Sequence, residues 1–310
     1  IKNGTLISYN GCADNINIPE GVTHIANGAF YSARENYKNI GIAGIILPSS
    51  LKSIDENTFT NLLVPWVAFG VSEYNQYFSV QDGVLFNKDK TVLIKYPIDK
   101  LEPEYTVPNT VKQISSNAFK YARNLRRLIL PASIEQIGEE ALSGLSNLQY
   151  VDFSRTKLVE FPKSLCFTCS NLTEVKFPPN LKKVGWGAFF GDNSLRHIML
   201  PTGLIEIDEC AFGNCSSLFD INIPKSVVKI GESAFTECTS LYSLTISRNT
   251  NVNPKAIPEH CKISYYPNNQ NKVTQANSNY GQNEVIATGK TIDEAIENGF
   301  LSHYMYTPVF

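Results

Sequence analysis

The amino-acid sequence predicts an α+β solenoid of mostly β coils. It reads as about eight coils of roughly 23 residues, with parallel strands on a concave face and β-hairpins inserted between coils. Three observations predict it. Prolines recur at Pro108, Pro131, Pro178, Pro201 and Pro224, in steps of 23, 47, 23 and 23 residues. The 47 is one 23-residue and one 24-residue unit, with Ser154 and Arg155 where proline is expected. A second position keeps the same interval at Phe119, Leu142, Cys166, Phe189, Phe212 and Phe235. Whole units also align: PKSVVKIGESAFTECTSLYSLTI follows PTGLIEIDECAFGNCSSLFDINI and PPNLKKVGWGAFFGDNSLRHIML. Self-similarity at such a period is the mark of a stacked array.

Each unit supplies two apolar stretches. Leu218, Ile221 and Ile223 alternate like a strand with one buried face. Val227 and Ile230, followed by Ala234-Phe235, turn a second set inward. One unit has nothing to pack this side against, whereas stacked units bury it, each Phe meeting the next. Proline after the strand has no N–H to donate and ends the ladder there.

Composition narrows the function. The 310 residues carry a net charge of −2, and 43% are hydrophobic against 18% charged, enough apolar matter for a core. Near-neutrality argues against nucleic acid as a partner, because such binding draws on counterion release. No apolar run approaches the ~20 residues of a membrane span, so membrane insertion is not expected.

The pattern P-x-S-[VLI]-x-x-[IV]-G-x-x-A-F-x-x-C-x-S-L-x-x-I-x-[IL] resembles the BspA-like class of leucine-rich repeats. The stretch Asp82-Gly83-Val84-Leu85-Phe86-Asn87-Lys88-Asp89 resembles the hairpin these proteins insert between coils. The likeness runs from residue 1 to about 267. It implies a leucine-rich-repeat solenoid and, for many members, a secreted or surface-displayed binding role in host-associated bacteria and some protists. Placement outside the cell rests on this resemblance, since no basic-then-apolar leader stands in the sequence.

Three segments follow. Residues 1–18 (NGTLISYNG within them) read as a capping hairpin, as an open solenoid end requires a cover. Residues 19–267 are the solenoid, with an inserted hairpin region at about 64–105 that includes VPWVAFGV, and a loop in YSARENYKNIGIAG. Residues 268–310 are a polar, Asn/Gln-rich linker and tail. A short helix is expected at about 291–299, where Thr291 and Glu294 have capping-box spacing and Gly299 makes a stop. Some fifteen residues around GKTIDEAIENG resemble the opening of the N-terminal domain of Jag-type proteins, a small RNA-linked adaptor module.

No catalytic set stands out. The histidines His24, His197, His260 and His303 fall in unrelated contexts, and Gly289-Lys290-Thr291 lacks the first glycine of a phosphate loop because residue 284 is Glu284. Cys169, Cys215, Cys238 and Cys261 form one structural column, with Asp192 filling its gap. A Cys215–Cys238 bridge is geometrically conceivable, and Cys166-x-x-Cys169 has redox spacing, but small buried thiols fit such a column without any chemistry. No second Cys pair or paired histidines complete a zinc site. No metal or other cofactor is expected.

The residues between the ladder positions face outward on the strand side. They include Arg126 and Arg127, Tyr150 and Asp152, Lys176, His197 and Met199, Phe219 and Asp220, and Tyr242. Aromatic, Met and Arg side chains are enriched at interface cores, although Tyr and Phe also favour strands in their own right. The reading is a non-enzymatic adhesion module that takes a protein or glycan ligand, such as host extracellular matrix, on this face. A self-assembling surface layer or filament, with contacts from Trp66 to Phe69, and an intracellular adaptor are the alternatives.

Overall fold

Pro, Gly and Asn interrupt every apolar stretch, so the strands are short and a coil must close through turns. The computed structural model describes residues 1–9, 15–31, 42–59 and 66–267. Its longer strands stack in parallel: Glu104–Thr106, Arg127–Ile129, Tyr150–Asp152 and Glu174–Lys176, with Glu104, Arg127, Tyr150 and Glu174 in one row. His197–Met199 and Asp220–Asn222 continue the column, and Ser243–Ile246 with Lys262–Tyr265 follow. Two-residue strands form a second column that includes Gln113–Ile114, Gln136–Ile137, Glu160–Phe161, Lys183–Val184, Glu206–Ile207 and Lys229–Ile230. The chain makes about ten turns rather than eight. Among the described residues there is no α-helix, so the coils are strands and turns alone, and no helix is long and apolar enough to cross a membrane.

Phenylalanine fills the space between the columns. Phe189, Phe212 and Phe235 stack nearly parallel, with centroids 5.4 and 5.6 Å apart. Where the repeat offers Leu142 and Cys166 in place of Phe, aromatic mass arrives from elsewhere. Phe161 packs 4.7 Å from Phe153 and 5.9 Å from Phe189, and all three are fully buried.

The corners are as regular as the strands. Asn117, Glu140, Ser164, Gly187, Cys210 and Ser233 all have φ of 54–57°, and Tyr121, Gly144, Thr168, Gly191, Asn214 and Glu237 have φ of 56–77°. The left-handed conformation costs a non-glycine residue about 1–2 kcal/mol. It is offset because it aims alternate N–H groups at the next coil: Asn117, Phe119 and Tyr121 donate to the carbonyls of Glu139, Ala141 and Ser143 at 2.8–3.0 Å. The pattern recurs from coil to coil, so this third ladder has its donors toward the C-terminal coils and its acceptors toward the N-terminal ones.

The insertion divides the core. Phe78–Gln81, Val84–Asn87 and Val92–Lys95 form an antiparallel meander, and Val92–Lys95 rejoins the short-strand column beside Gln113–Ile114. Val84, Leu85 and Phe86 are all fully buried, Val84 and Phe86 in the C-terminal core and Leu85 in the N-terminal one. A strand that alternates faces thus serves two cores. The corner ladder continues into the hairpin at Tyr96, whose N–H donates to the Ala118 carbonyl at 2.8 Å; beside it Lys95 Nζ donates at 2.6 Å to the Asn117 carbonyl, which also accepts the Lys120 N–H of its own coil.

Two expectations change. The described residues among 1–18 do not pair as a capping hairpin; Asn3-Gly4, both at positive φ, turn the chain between Lys2 and Thr5. Thr5–Leu6 and Asn15–Asn17 then pair in parallel with His24–Ile25 and Ile42–Leu47 as coil strands. Trp66–Val71 is likewise a coil strand, parallel to Ile42–Leu47, and Trp66 and Phe69 are buried at 0 and 4% exposure. They join the N-terminal core and offer no contact for self-assembly. The loop expected within 31–44 falls largely, and the helix at 291–299 wholly, outside the described residues.

Burial lowers the Lys95 pKa to about 7, with repulsion from Lys120 adding to it, against 10.5 for an ordinary lysine. Between these values the unfolded chain binds more protons than the folded one, so stability rises with pH and is lost as pH falls through about 7. Thermal unfolding should therefore show stability climbing between about pH 7 and about pH 8.5, by at most about 1.4 kcal/mol per pH unit. Higher pH is avoided because the buried thiols, with raised pKa values, act in the opposite sense there. Lys95→Met should flatten the climb; an identical climb in both proteins would contradict this account.

Candidate ligand-binding face

The longer strands place alternate side chains outward, and the two halves of that face differ. In the N-terminal half the charged groups hold one another. The Arg127 guanidinium lies over the Tyr150 ring at 4.2 Å and Lys176 Nζ lies 5.5 Å from it. Arg127 also reaches Glu104 at 3.5 Å. The Tyr150 hydroxyl donates to Asp152 at 3.0 Å, and Ser154 donates to the same carboxylate through N–H and Oγ at 2.8 and 2.6 Å. Partial burial raises the Asp152 pKa, but those hydrogen bonds and Lys176 outweigh it and hold the carboxyl below its ordinary range.

Tyr150 does not stand open as its strand position predicts: it is 9% exposed because its ring sits between two cations from the coils on either side. Arg126, exposed beside it, lines a shallow depression with Leu101, Asn124 and Asn147.

In the C-terminal half large apolar groups stand in solvent. Met199, Phe219 and Tyr242 are 68, 60 and 63% exposed. The His197 ring meets Phe219 edge-on at 6.1 Å, and its Nδ1 lies 3.8 Å from Asp220. His260 lies edge-on to Tyr242 at 5.8 Å, a contact the sequence did not signal because His260 sits outside the strand pattern. The final strand adds Ile263 and Tyr265, both more than a third exposed, with Arg248 4.9 Å from the Tyr265 ring. By contrast, the short-strand face carries coil-to-coil ion pairs, Lys183–Asp208 at 3.1 Å and Lys229–Glu206 at 2.5 Å.

The cysteine column lies inside. Cys169, Cys215, Cys238 and Cys261 are buried and free, so the conceivable Cys215–Cys238 bridge is not formed. Three thiols donate to carbonyls of the preceding coil: Cys169 to Leu142 at 3.0 Å, and Cys215 and Cys238 to Phe189 and Phe212 at 3.1 Å. Burial pushes the Cys215 thiol well above its ordinary range and Cys238 up to about 12, which suits donors rather than nucleophiles. Asp192, in the same column, is fully buried; one oxygen accepts the Cys169 N–H at 2.7 Å and the other has no partner. Among the described residues no group of His, Cys, Asp and Glu is placed to hold a metal ion.

The sequence matches the BspA type leucine rich repeat region in six copies, over residues 7–64, 100–218 and 161–284. The chain belongs to the BspA-type leucine-rich repeat family. This BspA-type chain resembles a solved leucine-rich repeat protein from Eubacterium ventriosum, at 27% identity and a TM-score of 0.59, over 72% of this chain and 64% of that one. A leucine rich cell surface protein from Faecalibacterium prausnitzii matches at 26% identity and 0.54, over 76 and 60%. The pneumococcal vaccine antigen PcpA shares the fold at 22% identity and 0.56, over 82 and 63%. The chain thus spans less than two thirds of the length of each. No curated protein matches it.

Burial, with the nearby Cys169 thiol, raises the Asp192 pKa well above 3.8. A raised pKa favours the fold below about pH 4, and that contribution is lost as pH rises through the folded value. Asp192→Cys restores the column and should stabilise the protein at neutral pH by about 1–3 kcal/mol, the cost of a buried unpaired polar atom. The gain should shrink toward pH 4 in thermal melts; a less stable variant at pH 7 would refute the assignment.

Proposed function

We propose that this BspA-type chain is a non-enzymatic binding module displayed outside the cell, taking a protein or glycan ligand on the C-terminal half of the long-strand face. One observation carries the reading: Met199 at the end of one long strand, and Phe219 and Tyr242 immediately before the next two, stand in solvent beside His197 and Asp220, while the ladder residues next to them are buried. Leaving large apolar groups in water gains the fold nothing, and Met and aromatic residues are the types enriched at interface centres. The backbone that carries them is held by hydrogen bonds from coil to coil, Phe219 N–H to the Arg196 carbonyl at 3.0 Å among them, so little main-chain freedom is lost when a partner docks. The membership of the family and the likeness to a bacterial cell surface protein support placement at the surface. Arg126, Arg127, Asp152 and Lys176 form the polar flank of the face.

The test is binding to immobilised extracellular-matrix proteins and a glycan array, comparing the wild type with Met199→Ala/Phe219→Ala/Tyr242→Ala. Val159→Ala/Val228→Ala, two exposed residues of the short-strand side, is the control. The triple variant should lose at least about 30-fold in affinity, the ~2 kcal/mol of one hot-spot side chain, and the control should bind as the wild type does. Binding that survives the triple variant would refute the site, and no binding to any ligand would refute the module.

A further inference from the structure

The short-strand face is broken once beside the hairpin. Ser53–Ile54 ends one short-strand sheet, and Val92–Lys95 belongs to the next, which turns away through the meander. A cavity of about 430 Å³ occupies the break. That is far more than one or two waters need and within the range of small-molecule sites.

Its lining is unlike that of the rest of the solenoid. Phe59 and Phe78, 5 and 6% exposed, give it an apolar floor with Ile54 and Ile94. Asp55 and Glu56 bring two carboxylates; Asp55 is steadied by the Asn27 N–H at 2.9 Å and by His24 at 3.4 Å. Lys95 is the informative residue. By strand register it occupies the column of Ser116, Glu139, Trp186, Glu209 and Glu232, of which the last four are exposed, yet Lys95 is only 4% exposed. Its ammonium uses one donor on the Asn117 carbonyl. Asn117 also lines the cavity, is 8% exposed, and has a side-chain oxygen with no partner. A second depression on this face, of about 370 Å³, has no buried charged group in its lining.

The requirements on a ligand follow. Two carboxylates repel an anion, and a cation matched to them would leave the donors of Lys95 and Gln113 unmet. Spare donors on Lys95 and Gln113 and spare acceptors on Asp55, Glu56 and Asn117 must be met together. A hydroxyl both donates and accepts, so one ring bearing several hydroxyls meets both needs, and its C–H face suits the phenylalanine floor. We propose that this cavity binds one neutral hexopyranose ring, as a free sugar or as the terminal residue of a glycan. The site is separate from the long-strand face and does not depend on that face being a binding surface.

The test uses the full chain with the methyl glycosides of D-glucose, D-galactose, D-mannose and N-acetylglucosamine, each titrated to high millimolar concentration by calorimetry and saturation-transfer NMR. At least one should bind saturably. Gln113→Trp, at an exposed rim position, should abolish that binding, and Lys95→Met should weaken it about tenfold, as loss of one charge-assisted hydrogen bond does. Phe219→Ala/Tyr242→Ala should leave it unchanged, which separates this site from the long-strand face. An oligosaccharide ending in the same sugar that binds more tightly identifies a glycan terminus; equal affinity identifies the free sugar. Failure of all four glycosides to saturate, or binding that persists in a folded Gln113→Trp protein, would overturn the proposal.

Discussion

Every coil leaves one side of its apolar residues unburied until another coil meets it in register. The 23-residue step exists to satisfy that condition for the backbone as well as the core. Long strands and short strands supply two ladders of hydrogen bonds, and the left-handed corners supply a third. A side chain of any chemistry can stand at a corner, provided the backbone accepts the positive φ. That is why Asn, Glu, Ser, Gly and Cys all occupy the first corner position. The stacked phenylalanines then fill a space whose walls are already fixed by the main chain.

The hairpin solves the problem created where the stack is interrupted. Val84 and Phe86 close one core and Leu85 the other, so neither is left with an open end. The corner ladder, whose carbonyls point toward the N-terminal coils, reaches the same place at Tyr96, with Lys95 bonded to the neighbouring Asn117 carbonyl. A buried lysine opposite a row of carbonyls is electrostatically sensible, and its desolvation is the cost of the arrangement. The same break in the short-strand face opens the cavity, so one insertion divides the core, extends a ladder and creates a pocket.

Much of this was legible in the sequence. The phenylalanine column, the proline spacing and the DGVLF hairpin are side-chain patterns, and side-chain patterns survive in a linear text. The corners were not legible, because the repeated feature there is a dihedral angle carried by unlike residues. The segment of Trp66 and Phe69 breaks the 23-residue interval and so reads as an exposed insertion, yet the strand it forms pairs in parallel with Ile42–Leu47. Tyr150 looked free because its partners, Arg127 and Lys176, are 23 and 26 residues away and come together only through register. Met199, Phe219 and Tyr242 are readable as outward because they fall between ladder positions that turn inward, Ile198 and Leu200, Leu218 and Ile221, and Leu241 and Leu244. The cavity left no sequence signal beyond a lysine at a column position that elsewhere faces solvent.

The corner ladder is the part of this account least expected from the sequence, and backbone amide exchange tests it most directly. The N–H groups of Phe119, Leu142, Cys166, Phe189 and Phe212 donate to the next coil without belonging to any strand. They should exchange as slowly as those of Leu128, Val151 and Ile221 inside strands, through the opening of the whole stack. Exchange at the rate of ordinary surface turns would show that the corners are not bonded from coil to coil, and that two strand ladders and the aromatic core hold the solenoid alone.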